Sequence, residues 1–235
     1  LLGDEKSIPP IYIMATDGTY QPSDDFYSCP DEITTFMMIE DVVSRISTGR
    51  IPISDILDDP TTDEDEALDL AKTIANKLYK YMVNPTIGSW RSKIGLIADD
   101  ENKNGYARNE LNHTINSNAI YEILSNNLNV SQFYGINYES IENGTYITKP
   151  QMTSKVINYI NQGVSLINYI GHGSETVLGS EKIIDMDRDI NRICSFGTSC
   201  REPEKEKPAI WIVGTCSFGK YDGNEEIMSE KLLFD

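Results

Sequence analysis

Apolar and polar positions along the chain fall into two kinds of order. Short, almost uncharged runs recur at Ile8–Ala15 (I-P-P-I-Y-I-M-A), Lys93–Ala98 (K-I-G-L-I-A), Val164–Tyr169 (V-S-L-I-N-Y) and Ala209–Cys216 (A-I-W-I-V-G-T-C). Runs this short, bounded by turn residues, predict strands of a parallel sheet buried on both faces. Between them the apolar spacing becomes helical. Thr61–Met82 opens on threonine, places acids in its first turn and lysines late, and aligns Leu68, Ala71, Ile74, Ala75, Leu78 and Met82 in one stripe. Glu110–Leu128 and Lys149–Gln162 predict two further helices, and Val130–Glu139 an alternating strand. Thr16–Glu32 is a loop rich in Asp, Pro, Ser and Gly, Glu32–Ile46 fits a strand or a short helix, and Gly49–Pro52 marks a turn. Asp185–Pro208 is a long insertion-like stretch whose tail, R-E-P-E-K-E-K-P, has the composition of an exposed loop. The pattern is that of an α/β fold.

Composition narrows the class. A chain of 235 residues is large for one core yet within the range of a single α/β domain, and nothing marks a second domain. The formal net charge of −17 disfavours nucleic acid and anionic membrane surfaces as partners and favours basic peptides or cations. Four cysteines without a C-x-x-C pair make neither a zinc framework nor a dense disulfide scaffold. Cys194 and Cys200 are read as a loop disulfide or free thiols. No apolar run is long enough to span a membrane and no signal peptide opens the chain, leaving open a removed leader or an excised fragment.

Two of the strand ends carry reactive side chains. His172 lies just past Val164–Tyr169, between Gly171 and Gly173, and Cys216 closes Ala209–Cys216. The carboxyl edge of an open α/β sheet is where chemistry is placed. Either residue alone is most simply a structural histidine or a small buried hydrophobe. As a pair, in a chain with two histidines, they predict a Cys/His nucleophilic site. Glycine on both sides of His172 lets an extended substrate approach and frees the Gly173 N–H as a donor; with the Cys216 N–H it would hold an oxyanion. Lys93–Ala98 delivers Asp99 and Asp100 to the same edge. Either carboxylate could orient His172, Asp99 being the nearer to the strand.

Calcium is the other chemistry the acids suggest. Asp100, Asn102 and Asn104 form the opening D-x-N-x-N-G of an EF-hand-type loop, but its twelfth position is Leu111, with Glu110 one place early. Asp17, Asp24 and Asp25 offer a second set of hard oxygen ligands, or a solvated loop. Thiolate attack needs no metal, so any such ion would be structural.

The segment G-V-S-L-I-N-Y-I-G-H-G-S-E-T resembles the catalytic-histidine block of the gingipain-like cysteine peptidases of the caspase-like clan, and I-W-I-V-G-T-C-S-F-G-K-Y-D resembles their catalytic-cysteine block. Upstream, S-D-D-F-Y at Ser23–Tyr27 and S-R-I-S-T-G-R-I-P at Ser44–Pro52 are similar to two earlier landmarks of that family. The resemblance implies a caspase-like three-layer α/β/α sandwich with a mostly parallel sheet. It implies a cysteine endopeptidase with Cys216 as nucleophile, His172 as its partner and an acid at the Asp99 strand end, without a catalytic cofactor. Relative to the family the sheet is expected to be incomplete at both ends, with another segment or chain completing it.

Glu110-Leu111-Asn112-His113 is similar to the family's D-I-Q-H, which would make Glu110 the partner of a basic P1 side chain and His113 a support beneath the site; Glu110 also suits a helix amino terminus. Leu178 stands where the family block carries a tryptophan at the pocket wall. A secreted or surface location is implied by resemblance alone. Such an enzyme could cut itself at Arg201, Lys205 or Lys207. Two other readings stay open at this point. One uses the same site as a sortase-like transpeptidase or a partner-activated caspase-like protease; the other is a calcium-dependent module without activity.

Overall fold

The computed structural model describes residues 1, 8–14, 18–28, 48–51, 64–100, 111–144, 146–193, 207–223 and 226–234. In chain order the elements are β1 (Ile11–Met14), β2 (Tyr20–Ser23), α1 (Glu64–Met82), β3 (Lys93–Ala98), α2 (Asn112–Leu124), β4 (Asn129–Tyr134), β5 (Ile141–Asn143), β6 (Tyr146–Thr148), α3 (Pro150–Asn161), β7 (Leu166–Ile170), β8 (Val177–Leu178), β9 (Ile184–Asp185), α4 (Met186–Asp189), β10 (Ile210–Gly214) and α5 (Met228–Phe234). They fall into two compact units, residues 1–76 with 220–226 and residues 77–219 with 227–235. The boundary runs through α1.

In the first unit β1 and β2 form an antiparallel hairpin. The apolar run at Ile8–Ala15 predicts a buried strand, but Ile11, Tyr12 and Met14 are exposed. An apolar run alone does not say which of its faces will be covered. Asp24 takes two hydrogen bonds from the Arg50 guanidinium, at 2.7 and 2.5 Å, and a third from the Tyr221 hydroxyl at 3.1 Å. Burial pushes the Asp24 carboxyl up, but the bonds from Arg50 and Tyr221 outweigh it and hold the group below its ordinary value. Arg50 thus stands where a calcium ion at Asp24 would have to. Asp17 and the side chain of Asp25 lie outside the described part of the chain, as do the helix start at Thr61 and the segment Glu32–Ile46.

The second unit is built on a four-stranded parallel sheet in the order β10, β7, β3, β4. Side chains of β3 alternate between two cores. Ile94, Leu96 and Ala98 face α2 with Ile120, Tyr121 and Leu124, whereas Ile97 faces α3 with Met152, Val156, Ile157 and Ile160. The result is the expected three-layer α/β/α arrangement with a mostly parallel sheet. Pro150 occupies the first turn of α3, where its missing N–H is no loss. The helix ends on Gly163, whose φ of +90 is the left-handed geometry of a glycine stop and whose N–H donates to the Ile160 carbonyl at 2.8 Å.

Three readings of the sequence change here. The apolar stripe of α1 is buried at Ile74, but Leu68, Leu78 and Met82 are exposed among the described residues. The insertion-like stretch Asp185–Pro208 opens on regular structure: β9 ends at Asp185, and α4 and a short 3-10 turn follow through Arg192. There Asp189 is fully buried, clasped by Arg188 at 2.6 Å and Arg192 at 2.7 Å. Residues 194–206, including Cys194, Cys200, Arg201 and Lys205, lie outside the described part. Leu178, expected at a substrate pocket, is fully buried in the core beside Ile183 and Ile184. Among the described residues no helix is long and apolar enough to cross a membrane.

Candidate active site

Parallel pairing brings the two reactive side chains to one edge. Gly214 of β10 is in register with Ile170 of β7, so Cys216 and His172 each stand two residues beyond a matched pair. The Gly171 N–H extends the ladder by donating to the Gly214 carbonyl at 3.2 Å. One residue further on the two loops touch. A Cβ on Gly173 would lie 2.7 Å from Thr215 Oγ1 and 3.1 Å from its methyl carbon, so only a glycine lets the histidine loop approach the cysteine loop this closely. Cys216 is an exposed free thiol, and Ser217 after it has a φ of +52, uncommon for a residue with a side chain.

The peptide of His172 is held from both sides. Its N–H donates to Asp99 Oδ2 at 3.1 Å, and its carbonyl accepts from the Tyr169 hydroxyl at 2.6 Å and from the Gly179 N–H at 2.9 Å. Gly173 forms an isolated antiparallel bridge with Leu178 whose hydrogen bonds run through Ser174 and Gly179, so the Gly173 N–H takes no part in it. The His172 ring meets that of His113, on the first turn of α2, edge to face at 5.2 Å.

Asp99 and Asp100, interchangeable on paper, have separate duties. Asp99 is buried, and its Oδ1 accepts from the Asp100 N–H at 2.8 Å while its Oδ2 reaches the His172 main chain. The bond Asp99 makes is therefore to the backbone of His172. Asp100 turns away to Lys149, 2.8 Å distant and itself buried, whose ammonium also donates to the Tyr138 carbonyl and Ser140 Oγ. Asn102, Asn104 and Glu110 lie outside the described residues.

Glu181 joins this group and has no signature in the sequence. It is 2% exposed, and its carboxylate approaches those of Asp99 and Asp100 to within 4.8 Å. Burial first, then the hydrogen bond and charge of Asp99 and the charge of Asp100, raise its pKa to about 9, so it is a neutral carboxylic acid at physiological pH. Tyr169, likewise buried and facing Asp99 and Glu181, is pushed well above its ordinary value and remains a donor. A tyrosine inside an apolar run does carry a signal, since a buried hydroxyl needs a partner.

The three carboxylates are close enough together to hold a metal ion. Lys149 already pairs with Asp100 at 2.8 Å, so an ion held there would share that carboxylate with an ammonium, and nothing in the donor set singles out calcium.

Protonated Glu181 makes the stability of the protein pH-dependent. Between the unfolded carboxyl value, near pH 4.5, and about 9 the native state keeps a proton that the unfolded chain releases, so stability falls as pH rises through this window and levels off above it. The slope from this group is at most about 1.4 kcal/mol per pH unit. Urea unfolding at several values across the window should show wild type losing stability relative to Glu181→Gln as the pH is raised. Parallel curves would refute the assignment.

The profile of peptidase family C25 matches residues 1–235. The chain belongs to peptidase family C25. Solved structures similar to this C25 chain include the Arg-specific cysteine proteinase gingipain R, at 20% identity and a TM-score of 0.62, with all of this chain covered and 44% of that one. A complex of Porphyromonas gingivalis RgpB pro- and mature domains matches at 21% identity and a TM-score of 0.60, with all of this chain and 45% of that chain covered. A structure described only as a protease matches at 16% identity and a TM-score of 0.55, covering 41% of its chain. The C25 chain thus spans less than half the length of each of these proteins, which share its fold. No curated protein matches it.

Proposed function

We propose that this chain carries the Cys/His centre of a cysteine endopeptidase with a preference for basic P1 residues. The observation that carries the reading is the matched register of β7 and β10, which sends His172 and Cys216 off the same sheet edge into touching loops. In the proposed reaction His172 takes the thiol proton and the Cys216 thiolate attacks the scissile carbonyl. The tetrahedral oxyanion is met by the N–H groups of Gly173 and Cys216. His172 then returns its proton to the leaving amine as the C–N bond breaks, and water hydrolyses the thioester that remains. Asp99 serves by fixing the His172 peptide, and its buried negative charge favours the imidazolium formed on the way.

A basic P1 preference is supported by the net charge of −17, by the stated Arg specificity of gingipain R and by the resemblance around Glu110. Partner control is a second reading, favoured by the likeness to a complex of pro- and mature domains.

The test is a positional scan of fluorogenic peptides with wild type and Cys216→Ala side by side. The expected outcome is cleavage after Arg or Lys by wild type, lowered about 10³-fold or more in the variant. An added amine nucleophile separates hydrolysis from acyl transfer. Wild type that neither cleaves peptides nor is labelled at Cys216 by a peptidyl electrophile would refute the reading.

A further inference from the structure

We propose that Glu181 is a positioning residue for His172, acting through Asp99; the inference rests on the peptidase reading of the site. One short turn does two things. Its Gly179 N–H donates to the His172 carbonyl at 2.9 Å, and two residues later it inserts Glu181 among the buried carboxylates beneath His172. To do so the chain takes left-handed geometry at Gly179, φ +84, and again at Lys182, φ +51, where a side chain makes that conformation unfavourable. Lys182 is pinned there by Asp185 at 2.8 Å, and its ammonium lies 4.9 Å from the centre of the Tyr146 ring.

Such geometry calls for an explanation, and the buried Glu181 carboxyl supplies one. It bonds to Asp99, while its Oε2 atom has no partner among the described residues. The pattern fits a carboxylic acid that gives its single proton to Asp99. Asp99 in turn already accepts from the Asp100 and His172 N–H groups. A carboxylate has lone pairs for a third donor, and the Glu181 proton would add a third tie that fixes Asp99, and with it His172, more closely than the two amides do alone. Glu181 therefore closes a clamp: the same turn grips the carbonyl of His172 directly and its N–H by way of Asp99.

The experiment compares full-length wild type, Glu181→Gln, Glu181→Leu and Glu181→Asp. It measures kcat and KM on the best peptide of the scan and the rate of Cys216 alkylation, with circular dichroism and thermal unfolding to establish folding. An amide can donate in place of the carboxylic proton, whereas leucine cannot donate and aspartate is too short to reach. Leu and Asp variants are expected to lose about 10²-fold in kcat with KM little changed, as misplacement of a catalytic group predicts, and to alkylate more slowly. Glu181→Gln should restore most of that loss. If the Leu variant does not fold, the Asp variant decides the matter. Folded Leu or Asp variants with wild-type kcat, or a Gln variant as impaired as they are, would overturn the inference while leaving the peptidase reading intact. A wild type inert to both peptide and electrophile would overturn the reading and this inference with it.

Discussion

Gly171→Ala is expected to cost both folding and activity. A Cβ at this position would stand 2.4 Å from the Asp99 Cβ, 2.5 Å from the Tyr169 hydroxyl oxygen and 2.8 Å from its ring carbon. Neither neighbour is free to yield. Asp99 is held between the Asp100 and His172 amides, and the Tyr169 hydroxyl is bonded to the His172 carbonyl, so any retreat breaks a hydrogen bond of a buried group. Overpacking of a tight core costs about 1–3 kcal/mol, and with bonds lost as well the variant should lie at or beyond the upper end. Urea unfolding reads the stability. Because the displaced groups are those that fix His172, peptide hydrolysis should fall about 10²-fold or more even in the fraction that stays folded. A Gly171→Ala protein with wild-type stability and turnover would mean that the close approach is not maintained in solution.

Lys149→Met is expected to be the most destabilising single change in the polar layer, by about 3–5 kcal/mol. The ammonium is buried, and removing it takes from the Asp100 carboxylate, also buried, a positive charge 2.8 Å away. The Tyr138 carbonyl and Ser140 Oγ lose a donor at the same stroke. The Lys149→Met/Asp100→Asn pair should recover much of the loss, because it discards both charges together. A double variant no more stable than the single one would show that Lys149 acts by packing rather than by charge.

These two sites also mark what could and could not be read from the chain. Strands β3 and β7 are legible because burial on both faces leaves a run of apolar residues between turns; β10 is as apolar but lies at the end of the strand order with Ile210 and Ile212 exposed, and the last residues of all three point to Asp99, His172 and Cys216. The layer beneath is not legible. Lys149 opens a helix and Asp100 follows a strand 49 positions earlier, and no local period connects them. Glu181 lies in a short turn where an acid is ordinarily solvated. Composition misleads in the same way at Asp189, whose crowded neighbourhood of Asp and Arg reads as surface although its carboxylate is fully buried. Leu178 errs in the opposite sense: its place in a resembled motif suggests a pocket wall, whereas the β8–β9 hairpin turns it into the core.

The clasp on Asp189 has a consequence if the proposed preference for basic residues holds. Arg188 and Arg192 are the sort of side chain such a peptidase would seek on a neighbouring copy of itself, yet both guanidinium groups are committed to a carboxylate no solvent reaches. To be bitten there the chain would first have to surrender that anchor and unravel the short helix around it. Under the proposed preference for basic residues, the fold would thereby withhold two of its own peptide bonds from a second copy of the chain.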